Sequence, residues 1–244
     1  MIKLYVDFSK IDVIIPNYNR TDSVELAISS ILIQGDLIGK IIVIDDGSDD
    51  DVVDFIKRIV LPKPKVQVIF LEHTGNPGLL RSIAIGESNA EFIAFLDSDD
   101  FWFPGKTKIQ LNEFKNEEVM LVSSNALIYK NRITVSRYFH KKYNEVTTKT
   151  LLKNNLIINS TVILRSAALK LIGGYVSDFS VRGMEDYATW LRISSVGKIK
   201  YVDKCLIGYS YSADSFGEQM GQSQLPYLIR EFNEWKSKFN LKVI

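Results

Sequence analysis

Two hydrophobic periods alternate through the first hundred residues. Ile11 to Ile15 is a compact β-branched run closed by Pro16, Asn17 and Asn19, the pattern of a buried strand ending in a turn. From Asp22 to Gln34, the positions Val24, Ala27, Ile28, Ile31 and Leu32 recur at helical spacing, and Asp22 with Glu25 reads as a capping box. Ile41 to Ile44 predicts a second strand. Ser48 and Asp51 are candidate caps for a helix running through Ile59 that Pro62 stops. Val66 to Leu71 predicts a third strand, Gly78 to Asn89 a helix and Phe92 to Leu96 a fourth strand. Apolar strands without polar alternation, separated by helices, point to a parallel sheet covered on both faces.

The pattern changes after Pro104. A helix over Gly105 to Glu118 and a strand over Val119 to Tyr129 are expected, followed by a polar, basic stretch from Lys130 to Lys153 that reads as a hairpin or a loop. Ser160 to Leu164, Ile199 to Val202 and Leu206 to Tyr211 predict strands, and Glu185 to Ser195 a helix. Leu225 to Phe239 forms an amphipathic final helix with Leu228, Phe232, Trp235 and Phe239 on one stripe. Core packing is the default for that stripe, with a homodimer contact or membrane-surface docking as the alternative. No repeat or linker interrupts the chain, so one α/β domain over residues 1–244 is expected.

Composition narrows the class. With 46% hydrophobic residues over 244 positions, the chain can bury a sizeable core. Thirty Lys plus Arg against 29 Asp plus Glu leave a net charge of +1, too small for a protein that binds nucleic acid by neutralising phosphates. The one cysteine, Cys205, excludes an internal disulfide and any cysteine-based zinc site, and reads as a small packed residue. No charge-free run approaches the ~18 residues of a membrane span, and Lys3 and Asp7 come too early for a signal-peptide apolar region. A soluble, cytoplasmic protein is expected, with peripheral contact at the inner membrane face as a further option.

Candidate chemistry gathers after two of the strands. Ile44 is followed by Asp45-Asp46-Gly47-Ser48-Asp49, and Leu96 by Asp97-Ser98-Asp99-Asp100. Both clusters fall at the carboxyl edge of the expected sheet, where open α/β sheets bind ligands. Carboxylates gathered there repel unless a cation joins them, and hard oxygen ligands suit Mg2+ or Mn2+ carrying a polyphosphate. The Asp97-x-Asp99 spacing turns both side chains the same way from an extended segment. Asp49, Asp50 and Asp51 read instead as solvated acids at a helix start.

These blocks, in this order, resemble the inverting glycosyltransferases of family 2. The matching text is Val13-Ile14-Ile15-Pro16-Asn17-Tyr18-Asn19-Arg20, then Val43-Ile44-Asp45-Asp46-Gly47-Ser48, then Phe92 through Asp100 with Trp102. Asn159-Ser160-Thr161-Val162, Gly173-Gly174-Tyr175 and Glu185-Asp186-Tyr187 with Trp190-Leu191-Arg192 follow. The resemblance implies a GT-A, Rossmann-like fold with a mostly parallel central sheet. Its nucleotide-sugar half would cover about residues 10–104, and its acceptor half about residues 105–244. It implies that Pro16, Asn17, Tyr18 and Asp46 hold a uracil base, and that Arg20, Arg81, Asp97 and Ser98 join them in donor binding. It further implies that Asp99 ligates the metal, that Asp100, Glu185 and Trp102 assist, and that Asp186 is the general base. Ser82 stands where the family usually has an Asn. Tyr209-Ser210-Tyr211-Ser212 lacks the family's Arg and His, which leaves Asp214, Glu218 or water as the further ligand.

The expected partners are a UDP-sugar donor and a saccharide or lipid-linked acceptor. The expected cofactor is Mn2+ or Mg2+. A nucleotide-sugar-binding module without catalysis is the alternative from another class. A sugar-phosphate nucleotidylyltransferase fits less well, because Pro16-Asn17-Tyr18-Asn19 is no glycine-rich basic loop. His73 and His140 are too isolated for a zinc site, and His73-Thr74-Gly75-Asn76-Pro77-Gly78 lacks the lysine of a P-loop. Arg132, Arg137, His140, Lys141 and Lys142, with Tyr138, Phe139 and Tyr143 among them, form a basic aromatic tract. It reads as a solvated loop, or as a contact for a phosphate-bearing acceptor or anionic bilayer.

Overall fold

The computed structural model describes residues 10–130, 133–141, 145–211 and 225–238. Arg132, Lys142, Tyr143, Ser212, Asp214, Glu218 and Phe239, named above, lie outside the described residues.

Strands β1 (Ile11–Asn17), β2 (Ile38–Asp45), β3 (Val66–Phe70) and β4 (Phe92–Phe95) form a parallel half-sheet in the order β3-β2-β1-β4. Ile14, Ile42 and Ile44 pack into one hydrophobic cluster, while Ile11, Val13, Ile15, Ile41 and Val43 pack into another. Alternate residues of each strand therefore meet apolar partners on both faces, which explains why the strands read as unbroken apolar runs. Helices α1 (Asp22–Leu32), α2 (Asp50–Val60) and α3 (Pro77–Gly86) make the crossovers.

The sheet continues through β9 (Ile163–Arg165), β6 (Val119–Lys130) and β10 (Lys198–Ser210) to β5 (Phe101–Trp102). β6 and β10 run parallel over most of their length, whereas β9 is antiparallel to both β4 and β6. Of the hairpin or loop expected from Lys130 to Lys153, the described part is strand-bearing: β7 (Ile133–Arg137) pairs antiparallel with β6, and β8 (Glu145–Val146) with β10. The other described α-helices are α4 (Lys106–Leu111), α5 (Thr148–Leu151), α6 (Ser166–Ile172), α7 (Glu185–Ser194) and α8 (Leu225–Lys238).

Several local expectations are corrected. Asp22 and Glu25 form no capping box: Thr21 holds the cap position of α1 without a side-chain hydrogen bond. Ser48 and Asp51 do not cap α2, whose cap residue is Asp49. Ser48 instead bonds Asp45. The helix after Pro104 ends at Leu111 and tightens into a 3-10 turn over Asn112–Lys115. Asn159–Thr161 is likewise a 3-10 turn, with the strand starting at Ile163. The two expected late strands are one, β10, whose pairing with β6 shifts register around Cys205. Cys205 is only half-buried.

The stripe of α8 faces the core. Leu228, Phe232 and Trp235 are buried, and Trp235 Nε1 donates to the Ile172 carbonyl over 2.9 Å. Burying each such side chain contributes about 1.5–3 kcal/mol, and none of the three is left for a dimer or a bilayer. Arg192 on α7 pairs with Glu231 beneath them. The basic aromatic tract is also tied down: Arg137 pairs with Asp203, the Tyr138 ring lies 5.2 Å from that of Tyr209, and Phe139 lies 6.3 Å from Tyr201.

Candidate active site

The chain winds outward from β1 to β2 and β3, then returns to place β4 on the other side of β1. This makes the carboxyl ends of β1 and β4 the topological switch point, the usual ligand crevice of an open α/β sheet. Arg20, just beyond β1, meets Asp99, just beyond β4, across that crevice at 3.2 Å.

A polar knot shapes the β1 side. Fully buried Asp45 accepts Asn17 Nδ2 at 3.0 Å, Ser48 Oγ at 2.7 Å and Ser48 N–H at 2.9 Å. Asn19, at φ 49°, receives Asp49 N–H on its Oδ1 at 2.9 Å and gives its own N–H to Ser48 Oγ at 2.8 Å. Asn17 is thus a strand tie, while Tyr18 stays half-exposed with its ring 4.4 Å from that of His73. Pro16, immediately before Asn17 in β1, is partly buried.

Asp46 turns toward the loop after β3. Its Oδ1 accepts the N–H and hydroxyl of Thr74, both at 2.8 Å, and its Oδ2 accepts Gly75 N–H at 2.9 Å. His73 Nδ1 lies 2.9 Å from the Asp46 carbonyl oxygen. His73, half-exposed and within hydrogen-bond distance of that oxygen, lies beside Tyr18.

The loop after β4 is braced from three sides. Asp97 Oδ1 accepts Arg81 Nη2 at 2.7 Å and Asn159 Nδ2 at 2.8 Å, and Asp97 N–H donates to Ser160 Oγ at 3.1 Å. Asp100, buried, accepts Ser210 N–H at 2.8 Å. Ser98 is buried in the same turn. Trp102 does not line the crevice; it is a core residue whose Nε1 holds the Ser160 carbonyl at 2.9 Å, so it acts on the loop through Ser160. The role of Asn159 was not legible in the sequence, since it depends on β9 lying antiparallel to β4.

Burial, the neighbouring Asp97 charge and too little relief from Arg20 raise the Asp99 carboxyl above the usual range. Burial and the charges of Asp99 and Asp97 push Asp100 well up. This is the electrostatic signature of an anionic cluster that favours a cation. Among the described residues no three His, Cys, Asp or Glu side chains converge as a closed cage. One or two hard carboxylates backed by waters and a diphosphate suit Mg2+ or Mn2+, and the residues present fit that donor set.

On the far side, α7 opens with Glu185 and Asp186. Glu185 is buried, accepting Arg81 Nη1 at 3.0 Å and Gly183 N–H at 2.6 Å. Asp186 is partly buried, and its Oδ1 takes Tyr187 N–H at 2.7 Å. Burial and the Glu185 charge, partly offset by Arg81, push its carboxyl up to about 7. A carboxyl poised there is suited to accept a proton near neutrality.

Residues 12–170 match Glycosyl transferase family 2. The chain belongs to that family. It is 31% identical over 227 residues to the E. coli UDP-Glc:alpha-D-GlcNAc-diphosphoundecaprenol beta-1,3-glucosyltransferase WfaP, covering 93% of this chain and 86% of that protein. It is 30% identical over 216 residues to an uncharacterized glycosyltransferase of Rickettsia conorii, covering 84% of this chain but 33% of that longer protein. The crystal structure of S. aureus TarS 1-349 in complex with UDP-GlcNAc superposes with a TM-score of 0.69 at 19% identity, over 94% of this chain and 73% of that one. The fold is GT-A. No helix among the described residues is long and apolar enough to cross a membrane.

Proposed function

We propose that this glycosyltransferase moves a sugar from a UDP-sugar to a hydroxyl of a saccharide or lipid-linked acceptor, with inversion, in cell-surface polysaccharide biosynthesis. The observation that carries the reading is the pairing of an anionic loop at the end of β4 with a second, separate carboxyl at the start of α7. Inverting transfer needs those two centres: one for the departing diphosphate, one for the attacking hydroxyl. The name of WfaP supports a lipid-linked acceptor, and the protein would then work at the cytoplasmic face of a membrane. The UDP-GlcNAc complex of TarS supports a uridine donor. Residues 10–104 would bind that donor and residues 105–244 the acceptor.

Tyr18 and His73 flank the place for the base, and Asp46 fixes the loop that carries His73. Asp99, with Asp97 beside it, would hold Mg2+ or Mn2+. When bound, the metal offsets charge developing on the leaving diphosphate. Asp186 takes the proton of the acceptor hydroxyl as its oxygen bonds to the anomeric carbon and UDP leaves from the opposite face. No covalent enzyme nucleophile is required.

A titration of UDP-, GDP- and TDP-sugars with and without Mn2+ tests the donor, and release of UDP tests turnover. Metal-dependent UDP binding with release of UDP supports the reading. Binding without any turnover, acceptor present, identifies a binding module instead.

A further inference from the structure

Arg81 makes two charged bonds to opposite ends of the site. Nη2 donates to Asp97 and Nη1 to Glu185, at 2.7 and 3.0 Å. Arg81 is 5% exposed as a residue, its guanidinium carbon lies 5.6 Å from the centroid of the Tyr175 ring, and its Nε is buried as well. Both of its paired donors are spent inside the protein.

The helix that carries it is set unusually close to the segment leading into α7. A Cβ on Gly78, one turn before Arg81, would lie 2.4 Å from the Val176 carbonyl and 3.1 Å from Glu185 Cγ. Asn76 Nδ2 donates to the Ser177 carbonyl at 2.9 Å, and Ser82 Oγ to that of Tyr175 at 3.2 Å. Asn76, the cap residue of α3, and Ser82 within it thus hold residues 175–177 where Gly78 lets them come close, and Gly183 N–H holds the other oxygen of Glu185.

We infer that Arg81 is a positioning residue rather than a donor ligand: it locks the Asp97 loop to Glu185 and so fixes where Asp186 stands relative to the sugar. The inference rests on the reading of Asp186 as the acceptor-side base. A lysine, with one point charge, cannot span two carboxylates as the planar guanidinium does.

Arg81→Lys, Glu185→Gln and the double variant test it, with kcat, donor KM, UDP affinity by titration and a thermal melt for each. For Arg81→Lys, kcat should fall about 10²-fold, the scale of a 1 Å misplacement, with donor KM and UDP affinity within about 3-fold of the parent. Glu185→Gln keeps the Arg81–Asp97 pair and should show the same split, which covers the case of an Arg81→Lys chain that fails to fold. The double variant should be no worse than the worse single one, as expected for two members of one unit. Losses in UDP affinity that match the losses in kcat would make Arg81 a donor ligand, and additive losses would make the two residues independent; either overturns the clamp alone. A folded parent that turns over no UDP-sugar overturns the clamp together with the proposed function.

Discussion

Arg20 Nη2 stands 3.2 Å from Asp99 Oδ2, so a cation already neighbours the carboxylate assigned to the metal. If a divalent ion binds Asp99 as proposed, Arg20 would have to yield or share that carboxylate. Asp99→Ala is expected to abolish the gain in UDP affinity that Mn2+ gives the parent, measured by isothermal titration with and without the metal. A variant that responds to Mn2+ like the parent removes Asp99 from the metal site.

The Asp46 carboxylate anchors Thr74 and Gly75 through three hydrogen bonds. Asp46→Asn turns one acceptor into a donor facing N–H groups. It should cost about 2 kcal/mol in urea unfolding, the range for hydrogen bonds to a charged group. With Thr74 and Gly75 no longer held firmly, the loop that continues from His73 loosens, and UDP should weaken more than inorganic pyrophosphate. Equal weakening of both ligands separates this loop from the base.

The first four strands and their helices are legible because each strand is an unbroken apolar run between turn residues. β5 and α6 are not. Phe101–Trp102 is a strand only through its antiparallel pairing with Ile207 and Gly208, over a hundred residues away, and Ser166–Ile172 follows β9 with no intervening turn signal. The site divides in the same way. Asp97, Asp99 and Asp100 announce themselves as acids crowded after an apolar strand. That Arg81 meets Glu185, 104 positions on, is a product of the packing of α3 against residues 175–177 and leaves no trace in local pattern.

Gly78 reports on that packing independently of charge. Gly78→Ala places a methyl 2.4 Å from the Val176 carbonyl, a backbone atom that cannot rotate away. The variant should lose about 1–3 kcal/mol in chemical unfolding, the usual cost of overpacking, and should lower kcat more than it raises donor KM. A variant with parental stability and kcat would mean that α3 and residues 175–177 separate freely.

Asp186, with its carboxyl pushed up to about 7 by burial and by Glu185, sets the pH response. As the proposed base it must be ionised, so transfer should rise with pH up to about 7 and level above it. The charged groups around it are Glu185, Arg81 and Asp97, with Tyr175 and Tyr187 neutral in this range. Glu185→Gln removes a negative charge and should move the rising limb to lower pH. Asp186→Asn should lose transfer by about 10²–10⁴-fold while keeping donor affinity, because an amide cannot take the proton. Stability carries the matching sign. An unfolded Asp titrates near about 3.9, so between there and about 7 the folded chain holds the extra proton, and the contribution of this group to stability falls as pH rises. The melting temperature of Asp186→Asn relative to the parent should therefore climb between about pH 4 and about pH 7 and then hold steady. A difference that stays flat across that window would show that Asp186 ionises like an exposed carboxylate, and the poised base would be lost with it.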